Sequence, residues 1–156
     1  MKVIPAIDIR GGKCVRLFQG DYDRETVYSD DPTEMASQWV DQGATRLHVI
    51  DLDGAREGRA INHDVASTIA SEATVPVQLG GGIRDVATAR AAVAGGVDRI
   101  IAGTAAITEP GFARALCDEL GASAVVVSVD AKDGVVMLQG WTKTSGMAAS
   151  DVVKGV

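Results

Sequence analysis

Cysteine is scarce: Cys14 and Cys117 stand far apart and belong to no CxxC pair or Cys/His array. A disulfide scaffold or a metal centre is therefore not expected, and both read as free thiols of a reducing compartment. No long apolar run is present either. Nothing approaches the roughly 18 consecutive apolar residues of a membrane span, and the N-terminal MKVIPAIDIR lacks the apolar core of a secretory signal. The expected location is the cytoplasm. Against a formal net charge of −6, no cluster of Lys and Arg forms a tract for nucleic acid or anionic lipid. An anionic ligand would need local backbone amides or a few arginines. Two nucleotide motifs are also missing. There is no GxGxxG followed by an acid on the next strand and no GxxxxGK(S/T), so dinucleotide and ATP binding fall away.

What is present suits one globular domain spanning residues 1–156: 46% hydrophobic residues, 23% charged, 18 glycines and 4% aromatics. Short aliphatic runs alternate with amphipathic segments. VIPAID (3–8), RLHVIDL (46–52), VPVQL (75–79), RIIAG (99–103) and ASAVVVSVD (122–130) read as buried parallel strands. Helix punctuation lies between them. Asp31-Pro32 opens a helix closing near Gly43, Asn62 opens another, Asp85 starts one ending at Gly95-Gly96, and Pro110 starts one ending at Gly121. This βαβαβαβαβ order predicts an α/β fold with right-handed crossovers, either doubly wound or closed as a (β/α)8 barrel.

A short repeat favours the barrel. VSVDAKDGVVMLQG laid on AIDIRGGKCVRLFQG aligns Asp130 with Asp8 and Gly134 with Gly12 at a spacing of 122, then Gln139-Gly140 with Gln19-Gly20 at a spacing of 120. Both copies leave the end of a strand, with four βα units between them. In an eight-stranded barrel the first and fifth strands stand opposite each other. The expected fold is therefore a TIM barrel truncated to about its first five strands, since a complete one runs to about 250 residues.

Active sites of such barrels lie at the C-terminal ends of the strands. Asp8 and Asp130 sit there, and two carboxylates facing each other over a substrate can serve as base and acid. Asp51 and Asp53, at the exit of the second strand, either join them or only cap the loop. Gly80-Gly81-Gly82 after the third strand and Gly103-Thr104 after the fourth each precede a helical segment, a pattern suited to cradling one phosphate. Under the half-barrel repeat an equivalent site would lie across the barrel, so the expected ligand is an elongated molecule with a phosphate at each end. Arg16 and Trp141, just past the candidate acids, are candidates to pair with an anion and to stack on a planar ring. His48 either packs within its strand or faces the barrel mouth; His63 is expected to pack or cap.

IPAIDIRGGKCVRLFQGDY, HVIDLDGA, QLGGGIRD, AGTAAI and VDAKDG followed by GWT resemble the phosphoribosylformimino-5-aminoimidazole carboxamide ribotide isomerases of histidine biosynthesis. The resemblance runs from residue 1 to about residue 145. The sister cyclase shares the half-barrel repeat but usually begins on a pattern nearer CLDVKDG. The resemblance implies an Amadori rearrangement of a bis-phosphorylated substrate without metal or cofactor. It implies Asp8 as general base and Asp130 as general acid, with a carboxylate beyond residue 156 as an alternative acid. It places the first phosphate on Gly81, Gly82, Gly103 and Thr104 and the second beyond residue 156; Arg16, His48 and Trp141 stay as candidate substrate-binding residues read from their positions, against a solvated charge, a packed strand residue and a packed aromatic. The full-length protein is then expected to be a monomer. The 156-residue chain alone should be nearly inactive and prone to self-association through open strand edges. Competing readings are a phosphoribosylanthranilate isomerase, a bifunctional isomerase, and a non-catalytic half-barrel that binds phosphate or assembles.

Overall fold

The computed structural model describes residue 1 and residues 3–155. Its main sheet has seven strands: β1 (Ala6–Arg10), β2 (Lys13–Phe18), β3 (Asp21–Ser29), β4 (Leu47–Asp51), β5 (Val77–Gly80), β6 (Arg99–Ala102) and β7 (Val125–Val127), in the order β3-β2-β1-β4-β5-β6-β7. From β1 through β4, β5 and β6 to β7, every pairing is parallel and follows chain order. A doubly wound sheet needs a point where the order reverses. Winding in one direction is that of a (β/α)8 barrel, and the described residues supply five of its consecutive strands.

Helices α1 (Pro32–Asp41), α2 (Leu52–Glu57), α3 (His63–Glu72), α4 (Val86–Ala94), α5 (Thr104–Thr108), α6 (Phe112–Leu120) and α7 (Ala149–Gly155) complete the fold. The longer ones begin much as their punctuation predicts. Asp31 accepts from the amides of Thr33 and Glu34 with Pro32 in the first turn, and Asp85 accepts from Thr88 N at 2.7 Å.

The parallel strands present two different faces. Ile7, Val49, Leu79, Ile100 and Val125 are register partners in one row across the sheet. This row and its companions Ile9, Leu47, Val77 and Ala102 pack against Ala36 of α1, Ala66 and Ile69 of α3, Ala89 of α4 and Leu116 of α6. Apart from the half-buried Val125, these strand residues are at most 1% exposed. Each such burial of a large aliphatic side chain contributes on the order of 1.5–3 kcal/mol, so the helix-facing layer carries much of the stability. The opposite rows are mixed: Asp8, Ile50, Gly80, Ile101 and Val126 in one, Ala6, His48, Gln78 and Arg99 below it. Reading the strands as uniformly buried runs therefore needs correction: in β4 burial alternates residue by residue.

The simple βα alternation also needs correction, because antiparallel arms follow the first and fifth parallel strands. The first arm is β2 and β3, paired onto β1. The second is a separate three-stranded sheet of β8 (Ala131–Lys132), β9 (Val135–Leu138) and β10 (Lys143–Ala148). Its small core of Val136, Leu138 and Val152 also takes in Ile107. The sequence repeat proves to be a repeat of backbone conformation. Gly11-Gly12 has φ of 55° and 76°, Asp133-Gly134 has 51° and 80°, and each pair forms the two-residue turn of a hairpin, between Arg10 and Lys13 or between Lys132 and Val135. Positive φ at both central positions is the turn that matches strand twist. Gln19 and Gln139 share a φ of 52°.

Candidate active site

A cavity of about 860 Å³ opens at the C-terminal ends of the parallel strands, and Asp8, Arg16, His48, Gly81, Gly82, Gly103, Thr104, Asp130 and Trp141 all line it. Asp8 and His48 reach it from within β1 and β4, Gly81-Gly82, Gly103-Thr104 and Asp130 from the exits of β5, β6 and β7, and Arg16 and Trp141 from the two arms.

Asp8 was expected at a strand end but lies in the middle of β1, which runs on to Arg10 because β2 pairs with it; its side chain is only 16% exposed, with the Arg16 guanidinium 3.6 Å from Oδ2. Burial pushes its carboxyl above the usual range, opposed by Arg16 and then by His48. Asp130 lies just beyond β7 and is more open to the mouth, yet burial raises its carboxyl as well, opposed by a long hydrogen bond from Ser128 Oγ at 3.5 Å. Both side chains are thus held nearer to a proton-exchanging state than free aspartates. His48 faces the cavity, not the helix layer, and burial depresses its imidazole against the pull of Asp8.

The glycine-rich exits divide in their reasons. A Cβ on Gly81 would lie 2.0 Å from the Asp51 carbonyl oxygen, and one on Gly82 would lie 2.4 Å from that of Arg59. Close approach of protein backbone to backbone already demands glycine at both. At Gly103 a Cβ would meet nothing within 4 Å, so that backbone faces open space at the start of α5. Thr104 Oγ1 accepts from Gln139 N at 3.0 Å, which joins this exit to the second arm.

Asp51 resolves as a loop organiser. It is fully buried and accepts from Gly54 N, Ile61 N, Asn62 N and Asn62 Nδ2 at 2.7–2.9 Å. Asp53 accepts from Gly11 N at 2.7 Å and from Asn62 Nδ2, while Asn62 Oδ1 accepts from Gly12 N. Asn62 was expected only to open a helix, and its side chain makes no capping bond there. It instead fastens the hairpin turn that follows Asp8. His63 Nε2 donates to Gly81 O at 3.0 Å and so steadies the glycine-rich exit.

Sequence reasoning passed over Tyr22, Gln78 and the role of Asn62. Tyr22 donates to Leu52 O at 3.1 Å, and the guanidinium carbons of Arg10 and Arg56 lie 5.3 and 5.4 Å from the centre of its ring. The two arms meet here: a Cβ on Gly140 would lie 2.7 Å from Tyr22 Oη, and one on Gly20 would lie 3.3 Å from Trp141 Cγ. The doubled Gln-Gly pairs, which had only suggested a repeat, mark where each arm touches an aromatic of the other.

Among the described residues no group of three or more His, Cys, Asp or Glu is arranged to hold a metal ion, and no helix is long and apolar enough to cross a membrane.

The family of histidine biosynthesis proteins matches over residues 2–156. Similar proteins include the 1-(5-phosphoribosyl)-5-((5-phosphoribosylamino)methylideneamino) imidazole-4-carboxamide isomerases of Roseiflexus sp. (strain RS-1), 47% identical over 99% of this chain and 65% of that protein, and of Chloroflexus aggregans, 50% identical over 97% and 63%. The isomerase of the same name from Salinibacter ruber is 52% identical over 94% of this chain and 57% of its own length. The chain thus spans somewhat under two thirds of the length of these relatives. A continuous match of this extent, on a sheet wound in one direction with its cavity at the strand ends, means that the chain belongs to the histidine biosynthesis protein family.

Proposed function

We propose that this chain carries the acid/base pair and one phosphate grip of an isomerase that rearranges an N-linked phosphoribosyl aminoaldose to the aminoketose, the substrate named for its relatives. The observation that carries the reading is that Asp8, within the first parallel strand, and Asp130, just past the fifth, line one cavity with both carboxyls raised by burial. A raised carboxyl is a stronger base when ionised, and it keeps its proton to a higher pH, so it is available as an acid nearer neutrality.

In this mechanism Asp130 donates a proton to the ribose ring oxygen and the C1–O bond breaks, leaving a Schiff base at C1. Asp8 removes the proton on C2, and the electron pair passes to the nitrogen to give an enolamine. Tautomerisation then delivers the ketose. Only protons move, so no cofactor is needed. Gly103 offers backbone without a side chain, and Thr104, whose oxygen already accepts the Gln139 amide, has its hydroxyl proton to give to a phosphate oxygen. Arg16 and Trp141 supply charge and an aromatic face, and a second phosphate would sit across the mouth. The cytoplasm, where free phosphorylated intermediates are held, is the compartment we infer.

The test is complementation of a histidine auxotroph lacking this isomerase by the open reading frame that encodes the sequence. Growth is expected from a reading frame of the relatives' full length and not from the 156-residue chain alone, and in the full-length form Asp8→Asn and Asp130→Asn should each lower kcat by about 10²-fold or more. Rescue of a tryptophan auxotroph instead would move the reading to phosphoribosylanthranilate. A singly phosphorylated sugar binding as tightly as the bis-phosphorylated one would remove the two-phosphate substrate.

A further inference from the structure

The lower inward row places His48 of β4 beside its register partner Gln78 of β5. Gln78 Nε2 lies 2.7 Å from His48 Nδ1. An amide nitrogen only donates, so the ring nitrogen it meets is a bare acceptor, and a neutral imidazole must then carry its proton on Nε2. Among the described residues Nε2 of His48 makes no hydrogen bond, while the ring lines the cavity. The charged group that faces His48 from β1 is Asp8. Beyond Gln78 on β6 stands Arg99, its Nε donating to Ser123 O at 3.0 Å and lying 3.9 Å from Asp98. Among the described residues no other charged group bears on the ring, and burial favours its neutral form.

We propose that Gln78 is a positioning residue: it holds His48 as the neutral Nε2–H tautomer, presenting one uncharged hydrogen-bond donor to the cavity beside Asp8. The tautomer stands on geometry alone; its use in catalysis rests on the role given to Asp8 above. An imidazolium at this place would stabilise the Asp8 carboxylate and weaken it as a base. A neutral ring supplies a donor to a substrate oxygen without that loss. Glutamate at position 78 would reverse the arrangement, since a carboxylate only accepts and would draw a proton onto Nδ1.

The chain contains two histidines, so 15N labelling of the imidazoles gives two ring systems, assigned with a His63→Gln variant. His63 serves as a reference, because its Nε2 faces the Gly81 carbonyl and must carry a proton. In the wild type, His48 Nδ1 should resonate at the unprotonated position and Nε2 at the protonated one through neutral pH. Gln78→Glu should move Nδ1 to the protonated position and raise the His48 midpoint by about one pH unit or more. Gln78→Met should give an averaged mixture of tautomers. Unchanged His63 signals establish that each variant is folded. A wild-type His48 protonated on Nδ1, or divided equally between tautomers, overturns the proposal, as does a folded Gln78→Glu that leaves the pattern untouched. If a variant does not fold, the wild-type spectrum alone decides. None of these readouts depends on turnover, so loss of the Asp8 mechanism and loss of the tautomer are separate results.

Discussion

The two antiparallel arms begin from the same signature, an aspartate followed by a two-residue turn and then Gln-Gly, yet they are secured differently. The first continues the main sheet through β1, and its turn is tied at both amides, Gly11 to Asp53 and Gly12 to Asn62. Beneath them lies the buried Asp51 carboxylate with four donors. The strands of the second arm pair only with one another, and the arm closes over a small apolar cluster shared with Ile107 of α5 and Val152 of α7. Like turns therefore need not mean like support: the first arm adds side-chain bonds at its turn to the packing of Cys14, Val15 and Leu17, while the second rests on a small apolar cluster.

Striking the support of the first arm should produce the largest effect. Gly81→Ala drives a methyl group into the Asp51 backbone at a residue whose φ is +95°, and unfolding in urea should show a loss above about 4 kcal/mol. Asp51→Ala leaves three backbone donors and the Asn62 amide without their acceptor, for an expected loss of about 3 kcal/mol. A stability equal to the wild type would show that the network is ornamental. On the other side, Leu138→Ala should cost roughly 2 kcal/mol and raise protease cleavage within residues 131–148 while the first arm stays protected. Equal cleavage in both arms would erase the distinction between them.

The smallest effect compares the two carboxylates. Burial holds both above the ordinary aspartate value of 3.8. The folded chain then binds more protons than the unfolded chain between that value and the raised one. Stability falls as pH rises through this window. Asp8→Asn should therefore raise Tm at pH 7, with the gain vanishing below pH 3.8, where the carboxyl is protonated folded or unfolded. Asp130→Asn should gain less, since that residue is more exposed. A Tm lowered by Asp8→Asn at pH 7 would mean that the Arg16 ion pair outweighs burial.

The parallel strands and the main helix starts were legible because a fully covered aliphatic row and an Asp or Asp-Pro cap are local patterns. Boundaries shifted where tertiary pairing intervened: the first strand runs 6–10, where 3–8 was expected, since β2 extends its C-terminal end. The arms were not read as strands, because β3, DYDRETVYS, is largely exposed and shows no alternation to detect. Gly11-Gly12 and Asp133-Gly134 did carry a hairpin signal. The nine residues given catalytic, phosphate or substrate roles reach one cavity, since the strand exits share one end of the sheet and both arms fold over it; Asp51, Asp53 and His63 do not line it. The tie from Asn62 to Gly12 and the pairing of Gln78 with His48 escaped notice because these partners are distant in sequence, and a lone amide has no motif.

The unequal faces of the parallel sheet bear on descent as well as on folding. Cohesion resides in the rows turned toward the helices, while Asp8, His48, Ile50, Gln78 and Arg99 project from the other side. Exchanging an inward side chain disturbs few of the contacts that hold the fold together. New chemistries can thus be tried on this scaffold by drift at a handful of positions, with the shell preserved as a common inheritance.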